Sequence, residues 1–205
     1  MKFIYSKKES SLFKNLNSPA RIQNYLNTLK FNFEKRGETC MSPRFVIKNK
    51  TAHCMEGAMF AAAALEFNGY KPLVMDLRAI DKDFDHVVAV FKKFGCYGAI
   101  SKTNHAVLRY REPIYKSLRE LAMSYFHEYF LSDGKKTLRE YSKLLNLNYF
   151  NKLDWRTSDK NLFAIPKYID KIKHYKILNN QQIKNLRKAD KIEIKAGELV
   201  EWKRG

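Results

Sequence analysis

The stretch that most constrains this chain runs from Cys54 to Phe67, almost wholly apolar, with four successive alanines at 61–64 and no β-branched residue. Such a run favours a helix, and Asn68-Gly69, with Pro72 close behind, is the expected left-handed stop. A helix with so little polar surface must be enclosed by the rest of the fold. Alanines at 61–64 also let a sheet approach closely. The sequence therefore predicts a buried central helix with β structure packed against it.

That β structure follows at once. Leu73 to Ile80, His86 to Phe91 and Cys96 to Ser101 read as strands, separated by the acidic turn Asp81-Lys82-Asp83-Phe84-Asp85 and by Lys92-Lys93-Phe94-Gly95. The short second connection implies an antiparallel hairpin. On the middle strand His86 shares a face with Val88 and Val90, whereas Val87, Ala89 and Phe91 take the other.

Upstream, Arg21 to Phe33 places Ile22, Tyr25, Leu26 and Leu29 at helical spacing behind Ser18 and Pro19, and Arg44 to Lys50 is ambiguous or a short helix. Downstream, Pro113 to Phe130 reads as a helix with Leu118, Leu121, Ala122, Tyr125 and Tyr129 along one stripe. Thr137-Leu138-Arg139-Glu140 matches a capping box for a helix to about Leu145, and Gln181 to Lys188 reads as a short one. Trp155, Phe163, Ile165 and Tyr168 read as packing residues, as do Tyr125, Phe126, Tyr129 and Phe130, with a cleft wall as the second reading for those four.

With 205 residues, 45% hydrophobic and 14% aromatic, the chain can fill a core, and no repeat or low-complexity linker divides it. The expectation is one domain over 1–205, with a core at about 20–112 and a helical C-terminal extension at about 113–205. Cys40, Cys54 and Cys96 are an odd set without a CxxC pair, which argues against a disulfide framework or a thiolate zinc site. The stretch from Met1 to Glu9 lacks the apolar run of a secretory leader, and the longest apolar run, Ala58 to Leu65, is too short for a membrane span. A soluble, unexported, cytoplasmic protein is expected.

The net charge of +18 is spread along the chain, with 21 basic and 13 acidic side chains in residues 1–134 and 18 against 8 in the remainder. No RNP, zinc-finger or Gly-rich phosphate motif accompanies it, so no specific nucleic-acid partner is expected.

Chemistry gathers where the central helix begins. Cys54 would sit at a helix N-terminus, whose partial positive charge and unpaired N–H groups favour a thiolate and supply donors to an oxyanion. The bland reading of any such cysteine is a small inert core residue. His86 on a following strand, and a polar group at the end of the next, would complete a Cys-His-polar triad in which imidazole moves the proton and the third group fixes its tautomer.

The stretch Thr51-Ala52-His53-Cys54-Met55-Glu56-Gly57-Ala58, then Leu65 through Gly69-Tyr70, then Asp85-His86-Val87-Val88-Ala89-Val90-Phe91, resembles the core of the transglutaminase-like, papain-like cysteine-protease superfamily. The region from Tyr25 to Arg44 resembles its lead-in, and the likeness covers about residues 20–112. It implies an α+β fold with the cysteine-bearing helix packed on an antiparallel sheet and additional C-terminal helices. It also implies amide hydrolysis or acyl transfer, Cys54 as nucleophile and His86 as base. The family usually has an aspartate as orienter, and here Ser101 falls at that place. Asn104 is the substitute amide acceptor, Asp76 on the neighbouring strand another candidate, and Asp85 a poorer one facing away.

A serine orients an imidazole but does not stabilise imidazolium as a carboxylate does, so an attenuated relative that binds a peptide or other partner through the same cleft is the alternative. His53 either lines the cleft or is held by backbone. Glu56 suits the first helical turn, with Arg109 or Arg111 as partner. Asp81, Asp83 and Asp85 alternate like a calcium loop, yet His86 and Lys92 stand where Gly and Glu are needed, so calcium is excluded there. Zinc on His53, Cys54 and His86 ranks last, because neighbouring residues rarely reach one ion. No cofactor or metal is expected, and a peptide or protein amide is the expected partner.

Overall fold

The computed structural model describes residues 5–203, so residues 1 to 4 of the stretch read for a leader lie outside it. Its elements in chain order are α1 (Lys7–Asn15), α2 (Pro19–Thr28), β1 (Lys30–Phe31), α3 (Pro43–Asn49), β2 (Thr51–Ala52) and α4 (Cys54–Phe67). There follow β3 (Leu73–Arg78), β4 (His86–Lys93), β5 (Cys96–Ile100), β6 (Arg111–Tyr115) and α5 (Leu118–Met123). The last part holds β7 (Glu140–Ser142), β8 (Leu145–Asn146), α6 (Ala164–Ile169), β9 (His174–Lys176), α7 (Asn180–Lys184) and α8 (Lys191–Gly197). The fold is mixed α/β, with a large antiparallel sheet ordered β6-β5-β4-β3-β7-β9 and β8 also on β3.

α4 is the enclosed helix that the sequence predicts, with every residue from Gly57 to Leu65 buried. It ends in a Schellman motif. Tyr70 N–H reaches Leu65 O and Gly69 N–H reaches Glu66 O, and Gly69 takes φ +87°, which an L side chain resists. The sheet divides two cores as strand alternation requires. Val74, Val87, Ala89, Phe91 and Ile100 face α4, together with Phe13, Ile22, Leu26, Val46, Trp155 and Ile165. Met75, Leu77, Val88, Val90 and Ala99 face the opposite way, toward Leu121, Ala122, Tyr125 and Tyr129.

Several sequence expectations need correction. The upstream helix starts at Pro19, capped by Ser18 Oγ on Arg21 N–H, but stops at Thr28, because Lys30 and Phe31 pair in parallel with Thr51 and Ala52. Pro113 does not open a helix. It lies in the edge strand β6, where a missing N–H costs no ladder bond, and α5 begins only after the Ser117 cap. Glu140 belongs to a strand and not to a capped helix, since the free edge of β3 pairs with residues 140, 141, 145 and 146. Tertiary pairing outweighs a local capping pattern of about 1 kcal/mol. Residues from 113 onward thus supply three strands of the sheet, β7, β8 and β9, and the end of β6, as well as helices.

A buried histidine–carboxylate pair links β9 to β3 across the intervening β7. His174 Nε2 lies 3.1 Å from Asp76 Oδ2 and Nδ1 lies 2.8 Å from Ile172 O, so the protonated ring has an acceptor for each N–H. Burial opposes that charge, but the bonds to Asp76 and Ile172 outweigh it and raise the His174 pKa. A histidine whose folded pKa is raised contributes stability below its unfolded value near 6.5 and loses it as pH climbs through the folded value. His174→Gln is therefore expected to destabilise more at pH 6 than at pH 9 in urea denaturation, and an equal loss at both would contradict the pairing.

Gly57 lets Lys102 approach α4 closely. A Cβ there would meet Lys102 Cβ at 2.4 Å. Helix propensity favours alanine over glycine by about 1 kcal/mol, but overpacking costs about 1–3 kcal/mol. Gly57→Ala is expected to lower stability despite better propensity, and a stabilised variant in chemical denaturation would refute this contact.

Candidate active site

The start of α4 is built from three directions. The parallel β1–β2 pair brings Phe31, Asn32 and Phe33 beside it. The ends of β4 and β5 deliver His86 and Ser101 from the sheet. Cys54 is the first helical residue, half-buried, with its own N–H left without an intrahelical partner by position.

His86 is buried, and its tautomer follows from the bonds around it. Ser101 Oγ donates its single proton to Leu108 O at 2.6 Å, so at 2.7 Å from His86 Nε2 it accepts from Nε2–H. The other ring nitrogen, Nδ1, is left for the thiol. Ser101 is fixed in turn by Gln23 of α2, whose Nε2 donates to Ser101 O at 2.8 Å and whose Oε1 accepts from Ser101 N–H at 2.9 Å. Leu108 presents its carbonyl from a left-handed backbone, φ 60°, while its N–H donates to Glu128 at 2.8 Å, and Glu128 pairs with Arg111 at 2.6 Å.

His53 also belongs to this site. Its Nε2 lies 3.1 Å from Thr39 O, and because a carbonyl only accepts, Nε2 carries a proton. Glu56, fully buried, accepts from Asn32 Nδ2, Thr39 Oγ1 and the N–H groups of Met41 and His53 at 2.8–3.1 Å. Burial alone would push the Cys54 thiol up, but hydrogen bonds and charge from His53 and His86 outweigh it and bring the thiol down to about 5. In the same exchange burial disfavours the His53 cation, yet Cys54, Glu56 and the Thr39 carbonyl raise it to about 9. Cys40, buried nearby, is pushed up to about 12 by desolvation and the Glu56 charge, and stays a thiol.

Cys54, His53 and His86 open into a cleft of about 800 Å³ with walls from Phe31, Phe33, Leu108, Tyr129 and Phe130. Tyr129 and Phe130 thus satisfy the cleft-wall reading, while Tyr125, Phe126 and Tyr129 are core residues. A thiolate flanked by imidazoles in a half-apolar cleft can attack an electrophilic carbon.

Other expected partners go elsewhere. Asn104 does not touch His86. Its side chain makes a paired bridge with Trp202, Nδ2 to O at 3.0 Å and Oδ1 from N–H at 2.9 Å, anchoring the C-terminal segment beside the cleft. Asp76 is held by His174. Asp85 accepts from Ala79 N–H at 2.8 Å, so it braces the turn before His86. Glu56 meets neither Arg109 nor Arg111, which pair with Glu201 and Glu128.

Gln23 and Lys102 were not legible as site residues. Gln23 lies on the same side of its helix as Pro19 and Leu26, and a polar residue on an apolar stripe was the available sign. Lys102 falls on the α4 side of the sheet by alternation with Ile100. Its ammonium donates to Leu26 O at 3.0 Å and Leu29 O at 2.6 Å at the C-terminal end of α2, where a cation is favoured.

Among the described residues no group of three or more His, Cys, Asp and Glu is placed to hold a metal ion, and no helix is long and apolar enough to cross a membrane. No protein-family model matches the chain, and no curated protein matches it.

Removing the Ser101 hydroxyl strands the His86 Nε2–H without its acceptor. Ser101→Ala is expected to cost about 1–3 kcal/mol in urea denaturation, the penalty for an unsatisfied buried donor. A loss below about 0.5 kcal/mol, the scale of an ordinary surface substitution, would argue that this bond does not hold the ring.

Proposed function

We propose that this protein is a cysteine-dependent hydrolase or acyltransferase acting on an amide, with the helix-and-sheet core of the transglutaminase-like, papain-like superfamily. The observation that carries this reading is the chain of hydrogen bonds from the Cys54 thiol to the His86 imidazole and on, at 2.7 Å from Nε2, to the Ser101 hydroxyl, with the thiol lowered to about 5. The buried α4 with Cys54 at its first position, packed on antiparallel strands that present His86 and Ser101, supports the same reading.

In the resting pair the thiol proton sits on Nδ1 of His86. The Cys54 sulfur attacks the carbonyl carbon, and the oxygen that becomes negative is met by N–H groups at the start of α4. The carbon–nitrogen bond breaks as His86 Nδ1–H protonates the departing amine, leaving a thioester on Cys54. Water or a second amine then gives its proton to Nδ1 while attacking the thioester, and the carbon–sulfur bond breaks to restore the thiolate. Ser101 keeps Nδ1 aimed at sulfur throughout by accepting from Nε2–H.

The test is an activated acyl ester as probe, followed by intact mass and peptide mapping. A single acyl adduct on Cys54, absent in Cys54→Ala and formed slowly in His86→Gln, is the expected result. An adduct spread equally over Cys40, Cys54 and Cys96 refutes a nucleophilic Cys54. No adduct at all, with the fold intact, favours the alternative in which the cleft binds a peptide without turning it over, for which Ser101 in place of an acid is the supporting feature.

A further inference from the structure

Two imidazoles act on one sulfur, and what stands behind each differs. Behind His86 is a neutral chain, the Ser101 hydroxyl and then the Leu108 carbonyl. Behind His53 are carboxylates. Its Nε2 lies 3.5 Å from Glu56 Oε1 and 3.7 Å from Glu34 Oε1, besides the Thr39 carbonyl. Glu56 cannot turn away, because four donors hold its two oxygens in a site closed to water. Glu34 is braced by Thr39 N–H at 2.7 Å from a left-handed backbone, φ 51°. The acid that the resemblance expects behind the catalytic imidazole is therefore behind the other one.

Resting on the reading of Cys54 as a nucleophile, we propose that His53 is a second catalytic residue, a standing cation backed by Glu56 and Glu34 that holds Cys54 as thiolate, while His86 alone moves the proton. The work of one histidine–carboxylate pair is divided between two imidazoles. His53 keeps both its N–H protons through the cycle. His86 gives its Nδ1 proton to the departing amine and regains one from the attacking water or amine, so protons balance without His53. A hydroxyl suffices behind His86 because the charge opposing the thiolate is already supplied.

The groups that face the thiol and His53 are few. They are Glu34 and Cys40 from the connector after β1, Glu56 on α4, His86 on β4 and Tyr129 after α5, with Asp83, Asp85, Lys102, His105, Glu128 and Glu198 lining the same cleft. Cys40 and Tyr129 are raised by burial and stay neutral, so the carboxylates and His86 are what modulate the pair.

The experiment is the pH–rate profile for alkylation of Cys54 by iodoacetamide, followed site by site by mass spectrometry in wild type, His53→Gln, His86→Gln and Glu34→Gln. His53→Gln should move the midpoint up by more than about one pH unit and slow alkylation at pH 6 at least about tenfold, with rates at pH 9 within about twofold of wild type. Glu34→Gln, at a half-buried carboxylate outside the core, should move it the same way by less. It decides the matter if His53→Gln fails to fold. His86→Gln should shift the midpoint less than His53→Gln while abolishing acyl turnover. A His53→Gln profile that superimposes on wild type, or a larger shift in His86→Gln, overturns the division of roles. If wild-type Cys54 reacts no faster than Cys96, the nucleophile itself is refuted, an outcome distinct from either.

Discussion

The enclosure of α4 is the constraint on which the remaining structure depends. A helix whose residues from Gly57 to Leu65 are all buried cannot lie on a surface, so sheet, N-terminal helices and the segment around Trp155 must close on it from several sides. Its small side chains set how close they come. Lys102 packs where Gly57 has no Cβ, and the strands reach near enough for their ends to meet the start of the helix. That start is where the enclosure opens. Cys54 is half-buried at the cleft while Glu56, two residues on, is wholly inside.

The same geometry explains the chemistry. A thiol in an apolar setting resists ionisation, and neutral Cys40 shows what burial beside a carboxylate does without an imidazole. Cys54 escapes that outcome because two rings reach it, each fixed by a partner of known polarity. The serine relay puts a proton on His86 Nε2, and the Thr39 carbonyl puts one on His53 Nε2. Gln23 and Leu108 hold Ser101 from two sides, one through its backbone and one through its hydroxyl.

Much of this was legible where local and long-range signals agree. The Cys54–Phe67 helix, its Asn68-Gly69 stop and the alternation along β4 were read directly, because burial and backbone preference point the same way there. His86 and Ser101 were legible as the ends of consecutive antiparallel strands. Residues after 112 were not, since Pro113 and the Thr137–Glu140 capping pattern are local helix signs overruled by edges of a sheet formed mostly elsewhere in the chain. The acid behind His53 was hidden for a similar reason. Glu56 reads as a first-turn charge, and only the β1–β2 pairing, which brings Asn32 and Thr39 over it, turns it inward as a hydrogen-bonded carboxylate. Asn104, the natural amide substitute for an acid, is instead claimed by the C-terminal segment through Trp202.

The proposed chemistry requires Cys54 to be a thiolate at neutral pH. The direct measurement is the difference in far-ultraviolet thiolate absorbance between wild type and Cys54→Ser as pH is raised from the acid side. One thiolate is expected to appear with a midpoint near 5 and to be fully formed by neutrality. A difference that emerges only near the free cysteine value of about 8.5 would contradict it.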